Sequence, residues 1–463
     1  MSSEAPTSAS VYAAQAKAAQ KPRKEICIVG GGFGGLYTAL RLAKLPWGND
    51  TPHITLIDKR DKFVFLPLLY DLAAGYADLG EVAPTFKSLL EGTGISFVQA
   101  SVTAIDLPSK SIAVAGALCD DLNGTALCDA ADETRDLPYD DLIIALGAEP
   151  VPDLVEGARE HALPFYTVED AYRLQLALRA LRARSDDAPA DVVVVGGSLC
   201  GVEIAATIAG VLDSARITMV TRAPELLSAA APANRAAGAA KMRALGVDVR
   251  TATSVESVAA GAIAVRARDG GANGEAGADD AETLRADLIV WTAGSRPNGL
   301  LRGVEGLSLD ARGRVRVSAT LAADGLDSVY CLGDAAAVDG ADGVPATAQA
   351  AMQQSDYVAW NGGAAARRRQ RAPLPFRYMD LGQMVSLGAA DGTMSALGER
   401  VTLRGPAAAA ARRAVYALRM PTAPQRAAAA ASIAVNTAAK ASSLLLDMGL
   451  SVLDKLMDKR EQR

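Results

Sequence analysis

Ile26-Cys27-Ile28-Val29-Gly30-Gly31-Gly32-Phe33-Gly34-Gly35-Leu36-Tyr37-Thr38-Ala39-Leu40 runs from a short apolar stretch through glycines into a helical pattern. The apolar run reads as a buried parallel strand, and Leu36, Ala39, Leu40, Leu42 and Ala43 then recur at helical spacing. Gly30, Gly32 and Gly35 fit G-x-G-x-x-G between strand and helix, the context in which that pattern binds a dinucleotide. The first glycine permits the tight turn, the second lets backbone approach a pyrophosphate, and the third lets helix and strand pack closely. The phosphates would rest on the free N–H groups that open the helix. A second strand, His53-Ile54-Thr55-Leu56-Ile57-Asp58, ends in an acid 23 residues after Gly35. That separation suits a carboxylate that binds ribose hydroxyls; an ordinary solvated strand end is the plainer reading.

The same device returns downstream. Val192-Val193-Val194-Val195-Gly196-Gly197-Ser198-Leu199-Cys200-Gly201 is again strand, turn and helix, followed by the strand Arg216-Ile217-Thr218-Met219-Val220-Thr221-Arg222. Ser198 replaces the middle glycine and adds a hydroxymethyl where a pyrophosphate should approach. The strand ends at Thr221-Arg222 instead of an acid, and an arginine there accommodates a 2′-phosphate, which leans the second site towards NADPH over NADH. An ordinary surface arginine is the alternative. The glycine clusters lie too far apart for one mononucleotide-binding half, so two complete units are expected, the second inserted in the first. Leu142 to Ala148 and Leu288 to Gly294 are apolar strands ending in small residues, and Val329 to Ala336 is a further strand ending in Gly333-Asp334. Residues 95–98 and 111–115 read as a meander, residues 247–287 as another.

With 463 residues, half of them hydrophobic, the chain has ample material for about three domains. A net charge of −6 discourages nucleic acid as a partner. From residue 401 onward the balance is +6, so a basic tail follows an acidic body and an anionic surface is its natural partner. Two histidines, His53 and His161, and cysteines with no metal-ligand spacing (Cys27, Cys119, Cys128, Cys200, Cys331) point to no metal centre. Cys119 and Cys128 flank a polar insert and are candidates for pairing, though nothing compels it. No run of 18 apolar residues suggests a spanning helix. Residues 1–24, Ala/Ser-rich with four Lys/Arg and one acid, read as a disordered tail or a portion of an organelle transit peptide.

Taken jointly, the paired glycine turns, Leu146-Gly147, Ala293-Gly294 and Gly333-Asp334 resemble the flavoprotein reductases with two dinucleotide-binding domains. Phe65-Leu66-Pro67-Leu68-Leu69-Tyr70, Phe165 to Asp170, Gly201-Val202-Glu203, Ala348 to Gln354 and residues 374–388 narrow the resemblance. They are similar to the type II NAD(P)H:quinone oxidoreductases, most like the plant and algal C1-type branch that reduces demethylphylloquinone and other prenylquinones. The resemblance implies an α/β fold with two Rossmann-like domains. It divides the chain into a first FAD-binding segment (25–165), an NAD(P)H-binding domain (166–300), a second FAD-binding segment (301–375) and a C-terminal membrane-associating region (376–463). It assigns FAD, held non-covalently, to Gly30, Gly32, Phe33, Gly34, Gly35, Asp58, Lys59, Pro67, Leu68, Ala145, Gly147, Gly333 and Asp334. The nicotinamide donor falls to Gly196, Gly197, Ser198, Gly201, Thr221, Arg222, Ala293 and Gly294. Glu203, Gln349 and Gln353 are placed near the flavin, as orienting or proton-handling groups. The partners implied are a prenylquinone, a membrane surface and, as an option, a second copy. The location implied is the chloroplast, on thylakoid or plastoglobule, with the mitochondrial inner membrane as alternative.

No cysteine pair serves disulfide exchange, so electrons are expected to leave a flavin directly, the cofactors supplying the chemistry. Glu203 as a mere helix-start carboxylate is the bland alternative. For the membrane, Arg412, Arg413 and Arg419 interleave with Val415, Tyr416, Leu418 and Met420 and read as basic anchors. Leu446, Leu450, Leu453 and Met457 then form one face of a late helix opposite Asp447, Ser451, Asp454 and Asp458. Packing on the body or a dimer contact are the competing roles. Two other readings of the whole stay open: a soluble reductase of the same fold acting on ferredoxin or a small radical, and an NAD(P)H-sensing binding protein.

Overall fold

The computed structural model describes residues 23–116, 118–120, 125–127, 134–184, 188–267, 281–341, 343–366 and 372–434. The transit-peptide reading, the Cys119–Cys128 question and the apolar face at 446–457 fall outside the described side chains. The chain forms two compact units. The first comprises residues Met1–Asp61, Leu90–Gly147 and Pro297–Tyr378; the second comprises Lys62–Leu89, Ala148–Arg296 and Met379–Arg463. The Pro67–Leu68 segment, placed by sequence in the first FAD-binding segment, and residues 379–434 lie in the second unit.

The first unit is built on a five-stranded parallel sheet. Its spatial order is Val329–Cys331, Asp141–Ile144, Glu25–Val29, His53–Asp58, Ile95–Gln99. Ile28, Leu56, Ile57, Leu142, Ile144 and Cys331 are buried, as expected of strands covered on both faces. The Phe33–Ala43 helix packs on the Ala348–Ala366 helix. Ile95–Gln99 is a correction to the sequence reading. It pairs in parallel with His53–Asp58, from Ile54↔Ile95 to Asp58↔Gln99, and is an edge of the main sheet. A strand too short to show its period looks alike in either setting. Only Ser111–Ala115 lies in the antiparallel meander, between Ser101–Asp106 and Thr134–Pro138.

The second unit repeats the arrangement: Leu163–Pro164, Leu288–Trp291, Asp191–Val195, Arg216–Val220, Asp248–Arg250, all parallel. Val193, Val195, Val220, Ile263, Val265, Ile289 and Trp291 share its core. Thr253–Ala259, Ala262–Ala267 and Glu282–Arg285 make the expected meander. The Phe165–Asp170 segment serves as a helix start. Thr167 accepts from the Asp170 N–H at 3.1 Å, and the Asp170 carboxylate accepts from the Thr167 N–H at 2.9 Å. This reciprocal cap opens the Val168–Arg182 helix.

A further sheet, Gln383–Ser386, Gly392–Ala396 and Val401–Arg404, was not legible as such in the sequence. It locks onto the Pro232–Ala244 helix through Asn234, a fully buried side chain. The Asn234 amide donates to Ser395 Oγ at 3.0 Å and to the Gln383 carbonyl at 3.3 Å, and accepts from the Thr393 hydroxyl at 2.9 Å. Asn234→Ala leaves these partners buried and unpaired, at a cost of about 1–3 kcal/mol for each group left unsatisfied. Chemical denaturation is expected to show a lower midpoint with an unchanged slope.

Candidate active site

The two glycine turns share one local geometry. In the first unit the Gly30 N–H donates to the Ile57 carbonyl at 2.8 Å, and in the second the Gly196 N–H donates to the Val220 carbonyl at 2.8 Å. Gly30 and Gly196 have φ of +100° and +121°, open to glycine alone at no strain. A Cβ on Gly35 would lie 1.8 Å from the Gly30 carbonyl oxygen, and one on Gly201 would lie 1.9 Å from that of Gly196. Helix and strand therefore touch backbone to backbone. At the middle position both turns are extended: Gly32 has φ −72° and Ser198 φ −79°, each the N-cap of its helix with no side-chain capping bond. Serine is unstrained there. Ser198 is exposed, and its departure from glycine leaves the turn intact.

The first turn fits an adenine dinucleotide. Nothing lies within 4 Å of where a Gly32 Cβ would be, and the 11-residue helix behind it opens with uncapped N–H groups. Asp58, buried, accepts from the Gly31 N–H at 2.7 Å and from the Arg60 N–H at 2.8 Å. A carboxylate has about four acceptor sites, so room remains for ribose hydroxyls. Lys59 points to solvent, and Arg60, unremarked in the sequence, bonds Asp58 instead. Phe33 and Gly34 are buried, the latter against Leu332. Ala145 closes on Gly30, since a Gly30 Cβ would sit 2.4 Å from its carbonyl oxygen; Gly147 follows with φ +63°. Gly333, at φ +73°, donates its N–H to Gln354 Oε1 at 2.6 Å, which holds the turn that presents Asp334. Burial raises the Asp334 carboxyl above its usual range. Gln349 and Gln353 lie one turn apart on the Ala348–Ala366 helix, and the Tyr378 hydroxyl donates to Gln349 Oε1 at 2.7 Å.

In the second unit Thr221 packs on Gly197 and is buried, whereas Arg222 is exposed and forms no ion pair with a described residue. Gly294, at φ +77°, follows Ala293 and packs against Val151. Pro67 and Leu68 lie in the short turn Leu66–Leu68 that leads into the Leu69–Ala73 helix. Leu68 lines a small cavity together with Asp71, Glu81, Arg413 and Tyr416.

Glu203 lies one turn into the Leu199–Val211 helix. Its Oε1 accepts from the Ser386 N–H at 3.0 Å, and its carboxylate accepts from the Tyr70 hydroxyl. Burial outweighs both bonds and pushes its pKa up to about 7. Its partners come from two distant stretches of chain. Burial, with Glu203 nearby, pushes the Cys200 thiol up to about 12, and burial does the same for Cys27, so neither is a ready thiolate.

Arg412 overturns the anchor reading made for it. It is 1% exposed, donates to the Tyr70 hydroxyl at 2.5 Å, and pairs with Asp71 at 3.3 Å. The Gly405–Arg419 helix turns Ala408, Ala409, Arg412 and Ala417 inward, packs on the C-terminal sheet, and leaves Leu418 exposed. Periodicity alone could not tell a buried, paired arginine from one at a lipid surface. Tyr70, Asp71, Ser386 and Gln354 were missed as functional candidates because their roles exist only through distant partners.

No helix among the described residues is long and apolar enough to cross a membrane, and no group of side chains among them is arranged to hold a metal. The pyridine nucleotide-disulphide oxidoreductase family model matches residues 24–355. Demethylphylloquinone reductase NdbB of Synechocystis sp. is 38% identical over 86% of this chain and 93% of its own length. The alternative NAD(P)H-ubiquinone oxidoreductase C1, chloroplastic/mitochondrial, of Arabidopsis thaliana is 36% identical over 86% of this chain and 78% of its own. Among solved structures, the NDH2 of Plasmodium falciparum in complex with NADH superposes with a TM-score of 0.74 at 16% identity, over 90% of this chain and 97% of that one. The turns, the paired sheets and these likenesses agree: the chain belongs to the pyridine nucleotide-disulphide oxidoreductase family, as an FAD- and NAD(P)H-dependent enzyme of the type II NAD(P)H:quinone oxidoreductase group.

Proposed function

We propose that this enzyme takes reducing equivalents from NADPH or NADH and delivers them to a membrane prenylquinone of the demethylphylloquinone, plastoquinone or ubiquinone type. Bound FAD would supply the chemistry of hydride acceptance and two-electron delivery, which no side chain offers. The chain's own residues bind, orient and supply protons. The first glycine turn and Asp58 hold one dinucleotide; the second turn, with Ser198, Thr221 and Arg222, holds the other. The observation that carries the reading is Glu203, a carboxyl one turn into the helix behind the second glycine turn, held by the Ser386 N–H at 3.0 Å and pushed by burial up to about 7. Quinol formation needs such a donor, because two protons must join the two electrons, and a group titrating near the working pH is best placed to give and regain one. Gln349, oriented by Tyr378, and Gln353 serve as neutral polar groups that position a ring carbonyl.

A lipid-soluble substrate requires a route to the bilayer. Met379, Leu381, Leu397, Val401 and Leu418 are exposed apolar side chains of the second unit, with Arg404 and Arg419 also exposed. These support peripheral membrane attachment. The names of the two relatives, one cyanobacterial and one chloroplastic/mitochondrial, favour a plastid setting on thylakoid or plastoglobule.

The purified protein is expected to carry a flavin spectrum that NADPH bleaches and a short-chain naphthoquinone restores. Re-oxidation by ferredoxin but not by the quinone would overturn the reading. Glu203→Gln is expected to slow quinone-driven re-oxidation by roughly 10²–10⁴-fold, the usual worth of a positioned acid, with flavin content retained. Arg222→Glu is expected to raise KM for NADPH well above that for NADH; an unchanged preference in steady-state kinetics removes Arg222 as the phosphate reader.

A further inference from the structure

Four side chains from two stretches of the second unit meet around the Glu203 carboxyl: Tyr70 and Asp71, Arg412 and Tyr416. Their hydrogen-bond chemistry permits only one direction. A guanidinium has donors and no acceptor, and Arg412 Nη1 gives its proton to the Tyr70 oxygen at 2.5 Å. The hydroxyl's single proton is thereby committed elsewhere, and the partner it meets is the Glu203 carboxylate. Asp71, 2% exposed, holds the guanidinium in place, accepting from Nη1 at 3.3 Å and Nη2 at 3.4 Å, with Arg413 at 3.8 Å from its other oxygen. The guanidinium also lies over the Tyr70 ring at 5.4 Å and the Tyr416 ring at 5.5 Å. Burial keeps both phenols protonated well above their ordinary range.

We propose that Arg412 and Tyr70 are positioning residues for Glu203: Arg412 fixes the Tyr70 hydroxyl as a donor to that carboxylate, and together they set how readily Glu203 parts with its proton. Burial and Asp71 disfavour the charged form; the Ser386 N–H, Arg412 and Tyr70 favour it. Tyr416, on the Arg412 helix, is coupled to both Glu203 and Arg412. Without the arginine the phenol is free to turn away, and the carboxyl holds its proton to higher pH. The consequence for turnover rests on the quinone-reductase reading. NAD(P)H, a quinone and one proton from solution give NAD(P)⁺ and quinol. The Glu203 O–H bond breaks as a quinol O–H bond forms, and solvent then re-protonates the carboxylate.

The test is an infrared titration of the carboxyl C=O band in the full-length flavoprotein, isolated as the difference between wild type and Glu203→Gln. The wild-type band is expected to vanish near pH 7. Tyr70→Phe keeps the ring and removes only the hydroxyl, and is expected to move the midpoint up by about one pH unit. Arg412→Gln should move it up by about one to three units, the range for losing a nearby opposite charge, and Arg412→Lys should restore most of the shift. A midpoint unmoved in Tyr70→Phe, in protein with native circular dichroism and flavin content, overturns the proposal. That variant decides the matter even if Arg412→Gln, which strands a buried Asp71, does not fold. A shifted midpoint in an enzyme that reduces no quinone sinks the functional reading and leaves the positioning role standing. Quinone turnover with an unmoved midpoint does the reverse.

The same carboxyl leaves a mark on stability. A native carboxyl titrating near pH 7 against 4.5 in the unfolded chain binds a proton that the unfolded state has lost. Its contribution is therefore complete below pH 4.5 and falls away as pH rises through 7. Tm measured across this window should decline more steeply in wild type than in Glu203→Gln, and equal slopes count against a raised Glu203.

Discussion

Backbone contact at the two turns is the constraint from which the rest follows. With Gly35 against Gly30 and Gly201 against Gly196, the first turn of each helix sits directly on the strand before it. That contact aims the helix start, with its unpaired N–H groups, at the carboxyl edge of a parallel sheet, where an anionic group is best received. A methyl group at either third glycine would force the helix off the strand by more than an ångström and dissolve the cradle. The neighbouring strands respond to the same geometry: Ala145 closes on Gly30, and the Thr292 hydroxyl bonds the Val195 carbonyl at 2.8 Å beside Gly196.

The second constraint is electrostatic. Arg412 and Asp71 are both buried, and transfer of such a pair out of water costs several kcal/mol per ion before their attraction is counted. Replacing a buried pair by apolar residues is often neutral or stabilising, so stability alone is a poor reason to keep it. Placed beside Glu203, the pair has a chemical use. Its arginine sets a permanent positive charge beside a carboxyl that burial pushes towards the protonated form, while Asp71 holds that arginine in place. The opposing effects leave Glu203 near 7, where a proton can be both given and recovered.

The C-terminal portion acquires a different meaning through this cluster. Read as a string, residues 405–420 alternate arginines with apolar side chains and suggest a helix lying on lipid. Folded, that helix carries Arg412 into the interior, while the sheet before it supplies the Ser386 N–H to Glu203 and grips Asn234. Residues 383–420 thus serve the site, and exposed side chains such as Leu418 remain for any membrane contact.

The duplicated turn, the acid at Asp58 and the Gly333-Asp334 strand end were legible in the chain because each is a local pattern. Its meaning depends on residues a few positions away, through strand period, helix period and the φ that only glycine tolerates. The parallel placement of Ile95–Gln99, the sheet at 383–404, the Gln354 brace and the network of Tyr70, Asp71, Glu203 and Arg412 were decided by tertiary structure alone. In the network the deciding bonds join residues far apart in sequence: 342 positions for Arg412 and Tyr70, 183 for Ser386 and Glu203. An arginine's charge has the same look in a string of letters wherever it ends up. Whether it meets water, lipid or a buried carboxylate is settled by which surfaces the fold closes over it.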